Sequence, residues 1–171
     1  RVLFRSLLSA RANLEGPIVK DRSSFNVSVR RTWLDLITGT ALAVVNKNSS
    51  IKDVFGYHFF DINAKLNHSF SDRSRAYLSF YMGQDAFRQG SKEKNGDSED
   101  MFLWRWGNLI GSAGWNYVFG QKLFGNLMVG YSRFRSHIRQ EVGGYEIYAG
   151  KEGKESFKRE SYYKSEMEDL S

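Results

Sequence analysis

Residues Phe60 to Phe70 alternate in polarity almost step by step. Phe60, Ile62, Ala64, Leu66 and Phe70 share one parity, while Asp61, Asn63, Lys65, Asn67 and Ser69 share the other. Successive side chains of a strand leave on opposite faces, so this order fits a strand with one apolar and one polar face. Tyr57 to Phe70 is therefore read as a strand.

The same period recurs along the chain. Leu8 to Glu15 places Leu8, Ala10, Ala12 and Leu14 on one face and Arg11 and Asn13 on the other. Gly16-Pro17 is expected to end that strand, and Lys20 to Ser23 to form a turn. Ser24 to Trp33 follows, with Phe25, Val27 and Val29 opposed to Asn26, Ser28 and Arg30. Leu34 to Val45 loses the period and has room for a short helix, weakened by Gly39 and Thr40. Arg75 to Gln84, Met101 to Phe119 and Phe124 to Arg135 complete six strands, with a bulge expected near Trp106-Gly107-Asn108, where alternation is muddled. Met167 to Ser171 reads as the opening of a seventh.

The connections alternate in length. Short turns are expected at 16–23, 71–74 and near Gly120. Long loops are expected at 34–56, 86–100 and 136–165. In an up-and-down sheet alternate connections emerge at the same end, so one end carries turns and the other loops, as in outer-membrane barrels. Strands of ten or more residues suit a tilted bilayer crossing. Trp104 and Trp106 at a loop, and Trp115, Tyr117 and Phe119 at a turn, fit two interfacial aromatic girdles. The expected fold is thus all-β: an antiparallel up-and-down transmembrane β-barrel segment of about six to seven strands, open as a fragment, since barrels of this type close from about eight strands. A soluble lipocalin-like barrel also alternates and is the competing reading.

Composition narrows the chemistry. The chain has no cysteine, which excludes a disulfide scaffold, Cys-ligated zinc and a thiol nucleophile. No run of 18 apolar residues exists, and mean hydropathy is −0.50; alternating strands average out on such a scale. The net charge is +6, but the basic residues are scattered along the sequence, and no nucleic-acid partner is expected. His58, His68 and His137 have no metal-ligand spacing. Asp97, Glu99 and Asp100 lack the ordered pattern of a calcium loop. No Ser/His/Asp arrangement stands out, so neither an enzyme nor a cofactor is expected.

Leu14-Glu15-Gly16-Pro17-Ile18 is followed by Lys20-Asp21, by Ser24-Phe25 and by Arg30-Arg31-Thr32-Trp33-Leu34-Asp35. With Phe60-Asp61-Ile62-Asn63-Ala64-Lys65-Leu66 and Tyr131-Ser132-Arg133-Phe134, these stretches resemble the early barrel region of TonB-dependent outer-membrane receptors of the Bacteroidetes type. The resemblance covers most of Leu8 to Ser171. It implies a barrel of about 22 strands around a plug, and energised uptake of a scarce ligand across the bacterial outer membrane. Its implied partners are outer-membrane lipid, the receptor's own plug domain, an inner-membrane energy-coupling complex and a surface lipoprotein. On this reading the chain is truncated at both ends and contributes about a quarter of the wall.

Arg1-Val2-Leu3-Phe4-Arg5-Ser6 match one reading frame of a common sequencing-adapter oligonucleotide. They are expected to be non-native, leaving residues 7–171 as a partial barrel domain. Arg11, Arg30, Asp61 and Lys65 fall on the polar faces and are the candidate lumen-facing residues. The arginines there either pair with a plug carboxylate, meet an anionic ligand, or face a hydrated lumen.

Overall fold

The computed structural model describes residues 3–5, 9–94, 98–147 and 154–171. Its strands are β1 (Leu3–Arg5), β2 (Ser9–Val19), β3 (Ser23–Thr32), β4 (Ile51–Ser71), β5 (Ser74–Glu93), β6 (Ser98–Val118), β7 (Phe124–Ile147) and β8 (Lys154–Leu170), with one helix, α1 (Leu34–Val45). All eight strands form a single sheet in sequence order, every pair antiparallel. The protein is all-β, an up-and-down sheet of seven long strands and the short β1, and the sheet does not close on itself.

Several sequence expectations change. Two of the three expected loops are largely strand. β5 continues to Glu93 and β6 starts at Ser98, while β7 runs to Ile147 and β8 starts at Lys154. Polar composition misled there, because ladder hydrogen bonds tolerate polar side chains on both faces where no core must be sealed. The seventh strand therefore opens at Lys154 rather than Met167. β2 passes through Gly16-Pro17 to Val19, with a register shift between Pro17 and Val19. Among the described residues β1 pairs only with Ala10 to Ala12, so Pro17 has no strand partner on that edge of β2 to ask for its missing N–H.

Short turns join β2 to β3, β4 to β5 and β6 to β7 at one end of the sheet. In the first, Asp21 takes φ 61°, a left-handed conformation that aspartate tolerates, and Arg22 N donates to Val19 O at 3.1 Å. At the opposite end α1 fills the connection from β3 to β4. β3 pairs only as far as Phe60, so among the described residues β4 has no strand partner on that side from Ile51 to Phe59, and α1 packs against β4. Thr38 and Thr40 bond back to Leu34 O and Leu36 O within the helix. Asn46 closes it, donating from Nδ2 to Asp53 O (2.7 Å) and accepting Asp53 N at Oδ1 (3.0 Å).

Among the described residues no apolar side chain is buried. Four of the five buried polar residues, Ser28, Thr32, Asp61 and Ser136, lie on the same face of the sheet.

Candidate functional site

The ladders from β4 to β8 are continuous between the turns and the far hairpin ends, so one parity defines one face over the whole sheet. We name the faces after Asp61 and Ile62. On the turn-side half, the Ile62 face is mostly apolar: Val27 and Val29, then Ile62, Ala64 and Leu66, then Leu78 and Phe80, then Leu109 and Ala113, then Leu127 and Val129, with Arg133 and Glu168 as charged exceptions at its far edge on β7 and β8. The Asp61 face opposite carries Ser28, Asn63, Lys65, Ser79, Ser112 and Asn126.

At the ladder row Phe60–Gln84–Gly107–Arg135 the two faces exchange character. Beyond it, the Ile62 face presents His58, Arg88, Arg105, His137 and Arg139, whereas the Asp61 face presents Tyr57, Phe59, Phe87, Trp104 and Trp106. This inversion is the source of the muddled alternation around Trp106-Gly107-Asn108. The register runs through those residues unshifted, so the expected bulge is absent. The two aromatic groups expected as girdles lie on opposite faces: Trp104 and Trp106 point to the Asp61 face. Trp115 and Tyr117 lie on the Ile62 face, where Trp115, Tyr117 and Phe119 meet tilted and edge to face, with centroids 5.6 and 4.7 Å apart. Trp115 Nε1 donates to Ser74 Oγ at 2.9 Å, which seats its polar tip at the turn end.

Arg11, Arg30 and Asp61 occupy one row of the Asp61 face, since Arg11 is opposite Arg30 and Arg30 opposite Asp61. Arg30 Nη2 lies 2.7 Å from Asp61 Oδ2, and its Nε donates to the same oxygen at 2.8 Å. The guanidinium also sits 4.6 Å from the Phe59 ring centroid. Lys65 lies nearer the turns, paired in register with Asn26 and with its Nζ 5.5 Å over Tyr77. All four share the Asp61 face. Only Arg30 and Asp61 are joined in an ion pair.

Sequence reasoning missed the aromatic wall above this row. Tyr57 donates to Asp85 Oδ1 at 2.6 Å and stacks on Trp106 at 6.3 Å and 25°. Trp106 meets Trp104 at 4.3 Å, and Trp104 Nε1 donates to Ser136 Oγ at 2.9 Å. Phe55, Phe87 and Phe102 continue the wall edge to face, at 5.6 and 6.2 Å. Tyr57 and Phe59 share the parity of Asp61 within the strand read from Tyr57, but apolar residues on the polar parity gave no face assignment by polarity. The wall offers ring faces for stacking, bordered by Arg30 and Asp85, which is recognition chemistry rather than bond-making chemistry. Among the described residues no group of three His, Cys, Asp or Glu is placed to hold a metal ion. Of the acidic cluster considered for calcium, Asp97 lies outside the described residues.

No family model matches the chain, and the search of curated proteins returns no match.

Proposed function

We propose that this chain is part of the wall of a bacterial outer-membrane barrel of the TonB-dependent receptor kind, contributing to energised uptake of a scarce ligand. The Ile62 face meets lipid and the Asp61 face the lumen. The observation that carries this reading is the apolar band on the Ile62 face. On β6 it spans Leu109 to Tyr117, with only Gly, Ala, Leu, Trp and Tyr on that parity. At about 3.3 Å per residue those nine positions cover about 30 Å of strand. A tilt of about 40° reduces this to about 23 Å, close to the apolar height of about 25 Å of such barrels. Trp115 and Tyr117 lie at the turn edge of the band, and the aromatic wall faces the lumen side, where a ligand would pass.

A lipocalin-like soluble module would enclose its apolar face. Here Leu78 is 55% and Leu127 60% exposed, while Asp61 is 6% exposed. In the described sheet β8 pairs with β7 alone, so the Ile62 face is not sealed by strand closure. Both observations favour the membrane wall. Circular dichroism and sedimentation of the purified chain, in buffer and in dodecyl maltoside, test the choice. The expected result is strand formation with detergent and aggregation without it. A monomeric, water-soluble product that unfolds cooperatively would reject the membrane reading.

A further inference from the structure

The basic residues look scattered in sequence, but the ladders gather several of them at one place. Gly107 sits on the Ile62 face at the row where the apolar band ends. Its neighbours on that face are Arg105 and Leu109 along β6, and Arg135 across on β7, flanked by Arg133 and His137. Around the missing side chain lies a groove of about 430 Å³, lined by Met82 and Leu109 on the band side and by Arg105, Arg133, Arg135 and His137. A Cβ on Gly107 would stand 2.9 Å from Gly83 O, so the floor admits glycine alone without a backbone shift.

The charges are unevenly matched. Arg135 is paired with Glu166, and Lys164 also reaches Glu166, at 3.7 Å. Glu168 stands opposite Arg133 in register and accepts the Tyr131 hydroxyl at 3.1 Å. Among the described residues neither Arg105 nor Arg133 has an ion pair within 4 Å. The patch holds four permanent cations, Arg105, Arg133, Arg135 and Lys164, against two carboxylates.

We propose that this groove binds the phosphate of an anionic lipid headgroup, with Arg105 and Arg133 as the principal donors. The proposal rests on the reading of the Ile62 face as lipid-facing. A guanidinium presents paired N–H donors matched to phosphate oxygens. Arg105 and His137 lie on the loop side of Gly107, Arg135 lies level with it, and Arg133 shares the row of Met82 and Leu109 where the apolar band begins. That arrangement fits a phosphate whose acyl chains run down past Met82 and Leu109, and it fits free phosphate poorly. The site sits where headgroups lie if the band spans the hydrocarbon.

Native mass spectrometry of the full chain released from dodecyl maltoside tests this, with dioleoylphosphatidic acid, dioleoylphosphatidylcholine and inorganic phosphate as probes. Phosphatidic acid is expected to bind at least about tenfold more tightly than phosphatidylcholine. The double variant Arg105→Gln/Arg133→Gln is expected to lose about tenfold, in line with a substantial contribution from each basic residue near an anionic lipid surface. Lys158→Gln, on the same face nearer the loop end, should retain the affinity, and inorganic phosphate should compete weakly. Equal binding of the two lipids, an unchanged double variant, or an equal loss in Lys158→Gln would overturn the site. Competition by inorganic phosphate as strong as by phosphatidic acid would overturn the lipid assignment. Those failures leave the membrane wall standing. A chain that stays soluble and takes up neither detergent nor either lipid would instead reject the wall.

Discussion

Arg30 and Asp61 face each other across the β3–β4 ladder, and one guanidinium reaches one carboxylate oxygen twice, at 2.7 and 2.8 Å. The aspartate side chain is 9% exposed and the arginine 50%. The pair is thus neither a surface bridge, worth under about 1 kcal/mol, nor a fully buried one. Arg11 stands opposite Arg30 on the other side. Asp61 therefore also relieves a like-charge contact across the β2–β3 ladder.

Replacing Asp61 by Asn is expected to lower stability in dodecyl maltoside by about 1–2 kcal/mol, the range of a charge-assisted hydrogen bond with partial exposure. The measurement is the urea midpoint. In a double-mutant cycle with Arg30→Ala, the two losses should fall short of additivity by about 1 kcal/mol. Strict additivity would mean the pair is electrostatically idle.

Tyr77 lies across Gly114 on the Asp61 face, where an added Cβ would stand 2.2 Å from Tyr77 Cε1. An aromatic ring covering a cross-strand glycine is a known way to pin register. Gly114→Ala is expected to push the ring aside, disturb the Lys65 contact over it, and cost about 1 kcal/mol. Adding Tyr77→Ser should remove most of the alanine's extra cost. If the alanine costs the same with and without the ring, the covering contact is not what excludes a side chain there.

Asn46 ties the end of α1 to β4 through both atoms of its amide at Asp53. The helix has no buried residue and no side-chain N-cap hydrogen bond, so this clamp carries an unusual share of its docking. Asn46→Ala is expected to speed hydrogen exchange locally, at the Asp53 amide and through α1, by about tenfold. That corresponds to roughly 1.4 kcal/mol for the two hydrogen bonds lost together. Exchange in β6 and β7 should not change. Unchanged exchange in α1 would show that its contacts with β4 suffice without the clamp.

The strands near the turns were readable from residue order because one face there is uniformly apolar. Phe60 to Phe70 and Arg75 to Gln84 are cases where period two and face assignment coincide. The far halves of β5, β7 and β8 were not readable, whereas β6 was read nearly whole, from Met101. Residues such as Gln140, Ser161 and Lys158 alternate nothing, and their strand state comes from hairpin pairing that propagates from the better-patterned half. The candidate site divides the same way. Arg11, Arg30, Asp61 and Lys65 could be placed on a face by counting from apolar neighbours. Tyr57 and Trp106 could not, because hydrophobicity changes sides between Phe59 and Phe60, and a parity rule tied to polarity then assigns the wrong face.

That exchange of faces makes a prediction about the tryptophans. Trp115 lies on the Ile62 face within the apolar band, while Trp104 and Trp106 lie on the Asp61 face beyond it. Chains retaining a single tryptophan, with the others replaced by Phe, can be refolded into bilayers of phosphatidylcholine brominated on its acyl chains. Bromine quenches only by near contact, so the lipid-facing ring should lose most of its emission and blue-shift on insertion. Trp106, stacked on Tyr57 and turned to the other face, should keep its emission and respond instead to an aqueous quencher such as iodide. Equal lipid quenching of Trp106 and Trp115 would mean that both faces meet lipid, as for a sheet lying flat on the bilayer. Quenching of Trp106 alone would reverse the assignment, putting the Asp61 face, with Arg11 and Lys65 on it, against hydrocarbon at a cost of several kcal/mol for each such charge near the midplane. Selective quenching of Trp115 is the outcome expected if, as proposed, the Ile62 face meets lipid.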